Sequence, residues 1–166
     1  MAKIGAVVFA ALVASAAVGC GSPNSGNGCS VSAFTCGMVL TGAQLTQLQP
    51  DATAYMESDK LPCTFSLPAS SGGIFQVFCG DAELLARQRA TGESAYPGST
   101  TETDTVGMKS FEMNVGPPMT SGSYAEVDAL TSNGKYVFNV SLQSAAADIT
   151  SVRLLAAALD ASLSAR

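Results

Sequence analysis

Apolar and polar residues alternate with a period of two in four stretches of this chain, and that period marks strands packed on one face. Residues 63–67 (CTFSL) and 75–79 (FQVFC) are the first two. If 68–74 connect them, Leu67 faces Phe75, Phe65 faces Val77 and Cys63 faces Cys79, all on one side of a hairpin. Phe111, Met113 and Val115 alternate with Ser110, Glu112 and Asn114 in a third strand before Pro117-Pro118. The fourth stretch, 124–142, folds about Asn133-Gly134, a dipeptide suited to a type I′ turn. That fold pairs Ala129 with Phe138, Val127 with Val140 and Ala125 with Leu142 on a core face. Asp128 with Asn139 and Glu126 with Ser141 then fall on the opposite, outward face. One register sorts both strands at once, which fixes the pairing, since a slip of one residue would invert every side chain.

Helical signals lie between and after these strands. Thr41 and Gln44 form a capping box for a helix over 41–48, with Leu40 stapling against Leu45 and Pro50 ending it. Asp81 is a good N-cap for the next helix, which Gly92 is expected to stop, and 93–105 read as an exposed loop. Ile149, Val152, Leu155, Ala156, Leu159 and Leu163 fall on one face of a terminal helix over 147–164. The expected architecture is α+β: an antiparallel sheet of about five strands, in the order αββαβββα, packed by the C-terminal helix and two shorter ones.

The N-terminal segment follows a different logic. Lys3 is followed by a charge-free run from Ile4 to Val18, at about 15 residues short of the roughly 20 a membrane-spanning helix needs. Ala17-Val-Gly-Cys20 resembles a bacterial lipobox, which implies cleavage before Cys20 and lipidation of that cysteine. The expected division is a signal peptide at 1–19, a lipidated cysteine with a Gly/Ser/Asn tether at 20–28, and one domain at 29–166. The membrane is then a partner through Cys20, and the location is the exported side of the cell envelope. Gly21 rather than Asp after the cysteine resembles outer-membrane sorting; the outer face of the plasma membrane is the other address.

Composition narrows the function. Without the leader, seven basic side chains stand against thirteen acidic ones, a net charge of −6 with no basic cluster, which argues against nucleic acid. There is no His, so imidazole triads and imidazole metal sites are excluded. Cys29, Cys36, Cys63 and Cys79 are an even set at spacings unlike a zinc site, and two disulfides are expected. The hairpin register above favours Cys63 with Cys79 and Cys29 with Cys36, but four cysteines allow three pairings. Ser132-x-x-Lys135 straddles a turn where a lysine keeps its hydration and gains no activation. Glu57 with Asp59 and Glu102 with Asp104 read as solvated loop charges. Phe65, Phe75, Phe111 and Phe138 read as core, and Tyr55, Tyr96 and Tyr124 as candidates for a surface role. No catalytic residue, metal site or cofactor is expected.

Cys36-Gly-Met-Val-Leu-Thr41 before a capped helix, Cys63-Thr-Phe65 opening a strand, the Val106-Gly107 turn and the Leu/Ala-rich terminal helix together resemble uncharacterised secreted lipoprotein domains of actinobacteria, some with a PsbP/Mog1-like fold. The resemblance implies pairing of Cys36 with Cys63, leaving Cys29 for Cys79, and implies no catalytic residue. The expected function is a non-enzymatic binding, sensing or assembly module with an envelope protein or glycan as partner. The alternatives are a carrier of an apolar ligand between sheet and C-terminal helix, and an envelope enzyme, which would need a buried, perturbed carboxylate pair.

Overall fold

The computed structural model describes residues 29–55, 59–67, 71–116, 123–144 and 147–166. The signal segment, Cys20, the tether and Glu57 lie outside these described residues. The chain folds as α1 (Cys36–Val39), α2 (Gly42–Leu48), β1 (Cys63–Leu67), β2 (Ser71–Cys79), α3 (Ala82–Ala95), β3 (Thr100–Thr103), β4 (Lys109–Val115), β5 (Ser123–Leu130), β6 (Tyr136–Ser144) and α4 (Ile149–Ser164). All six strands form one antiparallel sheet in the order β1-β2-β6-β5-β4-β3. The α+β expectation holds, with a sixth strand and a third short helix added.

The core lies between the sheet and α4. Val152, Leu155, Ala156, Leu159 and Leu163 of α4 are sealed against Phe75, Val77, Ala125, Val127, Phe138 and Val140. The capping box at α2 forms as the sequence implies. Thr41 Oγ1 accepts from Gln44 N–H at 3.2 Å, and Gln44 Oε1 accepts from Thr41 N–H at 2.9 Å. Asp148 caps α4 by accepting from Thr150 N–H at 3.0 Å. Tyr55 turns inward: its ring meets Phe75 edge-on at 6.2 Å between centroids, and its hydroxyl donates to Leu40 O.

The β5–β6 register is the expected one, with Val127 opposite Val140 and Ala129 opposite Phe138. The turn differs, because Gly134 alone takes positive φ (71°), and Gly134 N–H donates to Thr131 O at 2.8 Å. The loop is therefore one residue wider on each side than a type I′ hairpin. That frees Asn133 to donate to Leu163 O and Ser164 O at the end of α4.

Three expectations are corrected. The β1–β2 hairpin pairs Cys63 with Phe75 and Phe65 with Gly73, four residues from the expected register. Ser71-Gly72-Gly73 belong to the strand rather than the connection, and the shift by an even number keeps every residue on its expected face. Gly73 is required there, since a Cβ would sit 2.1 Å from the Phe65 ring. With Cys63 moved away from Cys79, the cysteines join as Cys36–Cys63 and Cys29–Cys79, with Cα separations of 5.7 and 5.8 Å. This is the pairing implied by the family resemblance and not the one implied by the hairpin. Finally, Gly92 does not stop α3, which runs to Ala95, and the expected loop contains edge strand β3. Gly92 faces the sheet near Met113 and Thr100, where a Cβ would make only ordinary van der Waals contact.

Candidate functional site

The face of the sheet turned away from α4 is the one the sequence assigned to solvent, and the structure buries much of it. Helix α3 begins at Asp81, which accepts from Glu83 and Leu84 N–H at 2.9 and 3.2 Å. The helix then crosses β3, β4 and β5. Leu85 packs with Phe111, Leu130 and Val137 in a second, smaller core. Phe111 is thus core, but beneath α3 and not α4. The β4–β5 register sets Asp128 opposite Phe111, Glu126 opposite Met113 and Tyr124 opposite Val115. Three polar residues at spacings of two along β5 consequently share a face with three apolar residues of β4.

These three form a connected acid cluster. Tyr124 donates its hydroxyl to Glu126 Oε2. Asp128 is 2% exposed, and its Oδ2 has no hydrogen-bond partner among the described residues. Burial, and then the charge of Glu126 and a hydrogen bond to it, push the Asp128 carboxyl well above the usual carboxylate range. Asp128 therefore holds a proton where an ordinary aspartate would not. Burial and the Glu126 charge likewise push the Tyr124 phenol up, so Tyr124 keeps the proton it donates to Glu126. Gln88 projects from the same stripe of α3 as Leu85, and its buried Oε1 also lacks a partner among the described residues. Ser141, expected to face outward, is only 5% exposed beside this cluster.

An enzymatic reading requires a buried, perturbed carboxylate pair; the structure buries Asp128 and leaves its neighbour Glu126 half-buried, and residue order alone did not reveal even the one. Each acid looks like an outward strand position until the β4–β5 register and α3 are known. A visible signal was the apolar pair Leu130 and Val137 at the turn end of the supposed solvent face.

The cavities lie elsewhere. A groove of about 790 Å³ runs between α3 and the β3–β4 edge, lined by Ala82, Ala86, Ala90, Arg89 and Glu93 from the helix. Across from them stand Glu102, Lys109 and Phe111. Arg89 bridges to Glu102 at 2.8 Å across the groove. Glu93 is held below the usual carboxylate range by hydrogen bonds from Thr100 Oγ1 and from Gly98 N–H. A smaller hollow of about 370 Å³ lies beside the Cys29–Cys79 disulfide, between Val31, Phe78 and Leu84. Neither cavity touches α4, whose inner face is filled by core side chains.

The remaining expected site residues are plainly placed. Ser132 and Lys135 do not address each other: Ser132 donates from N–H and Oγ to Asp160 at 2.7 and 2.6 Å, while Lys135 Nζ donates to Arg166 O at 3.2 Å. Asp59 Oδ1 accepts from Gly37 N–H at 3.0 Å. Among the described residues no group of three or more His, Cys, Asp or Glu could hold a metal ion, and no helix is long and apolar enough to cross a membrane.

No family model and no curated protein matches the chain. Among solved structures, a crystal structure from Bacteroides thetaiotaomicron VPI-5482 at 1.50 Å resolution is similar, with a TM-score of 0.42 and 15% identity over 64% of this chain. The likeness spans 40% of that protein.

Proposed function

We propose that this chain is a lipid-anchored lipoprotein of the cell envelope, of the kind found as secreted domains in actinobacteria, whose domain is a non-enzymatic binding module. One observation carries the reading. Cys29–Cys79 and Cys36–Cys63 use every cysteine after Cys20, so the fifth cysteine is left over, just past the charge-free run from Ile4 to Val18. Paired cysteines belong to an oxidising compartment, and an odd one at a lipobox-like position is the acceptor for an acyl anchor.

Binding rather than catalysis is supported by where the chemistry sits. Asp128 is only 2% exposed and lines neither of the two hollows described above, which is poor access for a group that must reach a substrate atom. The groove beside α3 is open, carries both signs of charge and borders an unpaired strand edge. It is the surface this reading assigns to an envelope protein or glycan.

The test is made in intact cells. A photo-crosslinking residue at Ala86, in the groove, should capture a partner that the same residue at exposed Ala157 on α4 does not. Mass spectrometry of the chain should find the N-terminus at Cys20 carrying acyl chains. Equal capture at both positions rejects the groove, and an unmodified Cys20 rejects the anchor.

A further inference from the structure

We propose that the Cys29–Cys79 bridge is a redox clasp on the tether: an exported dithiol opens it while Cys36–Cys63 stays closed, and its opening lengthens the leash between Cys20 and the domain. The leash rests on the lipid-anchored reading above, whereas the selective opening of one bridge does not.

The two bridges differ in access. Cys36 and Cys63 are 0% exposed and lie in the main core. Cys29 and Cys79 are each partly exposed, and both line the hollow of about 370 Å³ beside Val31, Phe78 and Leu84. Thiol–disulfide exchange needs a thiolate to reach a bridge sulfur, so its rate follows access. A dithiol meets that condition at Cys29–Cys79 in the folded protein. At Cys36–Cys63 it must wait for the core to open, which the native state seldom does.

The exchange balances between the two partners. A thiolate of the dithiol attacks one sulfur of the bridge, the S–S bond breaks, and the other cysteine leaves as a thiolate. The second thiol of the dithiol, once deprotonated, attacks the mixed disulfide and releases the first cysteine. The chain gains two electrons and two protons, and the dithiol becomes a disulfide.

Few other contacts hold the segment that this bridge ties down. Among the described residues the backbone of 29–34 makes one backbone hydrogen bond, Phe34 N–H to Val31 O at 3.0 Å, and it stays within the segment. The Ser30 and Ser32 hydroxyls bond each other, and Val31 is only partly buried. The first firm hold past the bridge is Phe34, whose ring packs on Tyr136 at 5.6 Å with the Arg166 guanidinium over it. Beyond Phe34 the chain is fixed independently. Cys36 N–H donates to Asp59 O at 3.0 Å, Cys36 is bonded to Cys63, and β1 pairs with the strand that carries Cys79. Opening the clasp therefore frees 29–33 and leaves the fold in place. The leash between Cys20 and the first hold grows from 21–28 to 21–33. Flexible chains of those lengths have a mean reach of roughly 14–17 Å against roughly 18–22 Å, and a limit of about 30 Å against about 48 Å. The reduced domain thus carries its groove farther from the bilayer.

The experiment uses the acylated full chain in phosphatidylcholine nanodiscs, with dithiothreitol as the dithiol, a maleimide to trap free thiols and mass spectrometry to locate them. Cys29 and Cys79 should be trapped first, with Cys36–Cys63 opening at least about a hundredfold more slowly until denaturant is added. Circular dichroism should stay native, while the backbone amide signals of 30–33 sharpen to those of a flexible chain. On a supported bilayer, neutron reflectometry should find the protein layer reaching farther out after reduction. Cys29→Ser with Cys79→Ser should match the reduced wild type before any dithiol is added. Bridges that open together, or Cys36–Cys63 opening first, overturn the clasp and leave the anchor standing. So does selective opening that changes neither the signals of 30–33 nor the height of the layer. A Cys20 without acyl chains overturns the leash and the anchored reading together.

Discussion

The two faces of the sheet are buried by different means, and the contrast explains the behaviour expected of each. Under α4, aliphatic and aromatic side chains at alternate strand positions meet a helix with an apolar stripe. The main charge there, Glu112, is 6% exposed but is gripped by Arg153 of α4 through two hydrogen bonds of 2.7 and 2.6 Å. Under α3, only Leu85 of the helix is buried, and the sheet presents Tyr124, Glu126 and Asp128, none of which is in a salt bridge among the described residues. One face satisfies its acid with a guanidinium and the other with a proton. A buried carboxylate needs one or the other, because an uncompensated charge in a low-dielectric interior costs several kcal/mol.

The largest effect should come from Val140→Asp on the α4 face. It places an unpaired carboxylate among Val127, Val152 and their neighbours, and should unfold the domain or cost more than about 4 kcal/mol. A denaturant midpoint within experimental error of the wild type would mean that α4 does not cover this face. Removing Cys36–Cys63 by a double Ala substitution comes next, at about 2–4 kcal/mol, since both sulfurs lie in that core. Thermal melting of the oxidised proteins measures it, and an unchanged Tm would show that the bridge constrains nothing.

On the α3 face, Ser141→Asp should now be clearly destabilising, by about 1–3 kcal/mol, because Ser141 is buried beside Tyr124 and Glu126. Were the face open to water, the substitution would be neutral, so this variant separates the two descriptions directly.

Asp128→Asn carries the smallest effect and the sharpest signature. The folded state holds a proton on Asp128 at pH values where the unfolded chain has released it, near pH 4. Between that point and the raised folded value, the native state binds more protons, so stability falls as pH rises and is fully present only below the unfolded value. Asn mimics the protonated form. It should remove this slope and stabilise the protein at neutral pH by on the order of 1 kcal/mol. Parallel stability–pH profiles for the two proteins would show that Asp128 is ionised in the native state.

The sequence determined much of the α4 half. Alternation in 124–142 set the β5–β6 register, Thr41 with Gln44 set a helix start, and the stripe from Val152 to Leu163 set the helix that covers the core. These are local signals, because a period of two or 3.6 and a capping side chain act within a few residues. Tertiary structure decided what depends on distant partners. The Phe65 ring over Gly73 moved the first hairpin by four residues, and that shift settled the disulfides as Cys36–Cys63 and Cys29–Cys79. Helix α3 lies across β3, β4 and β5 on the second face, where Asp128 and Ser141 are interior residues and Glu126 is half-buried. Alternation separates two faces of a strand, yet it carries no information about whether the polar one meets water or another layer of the protein.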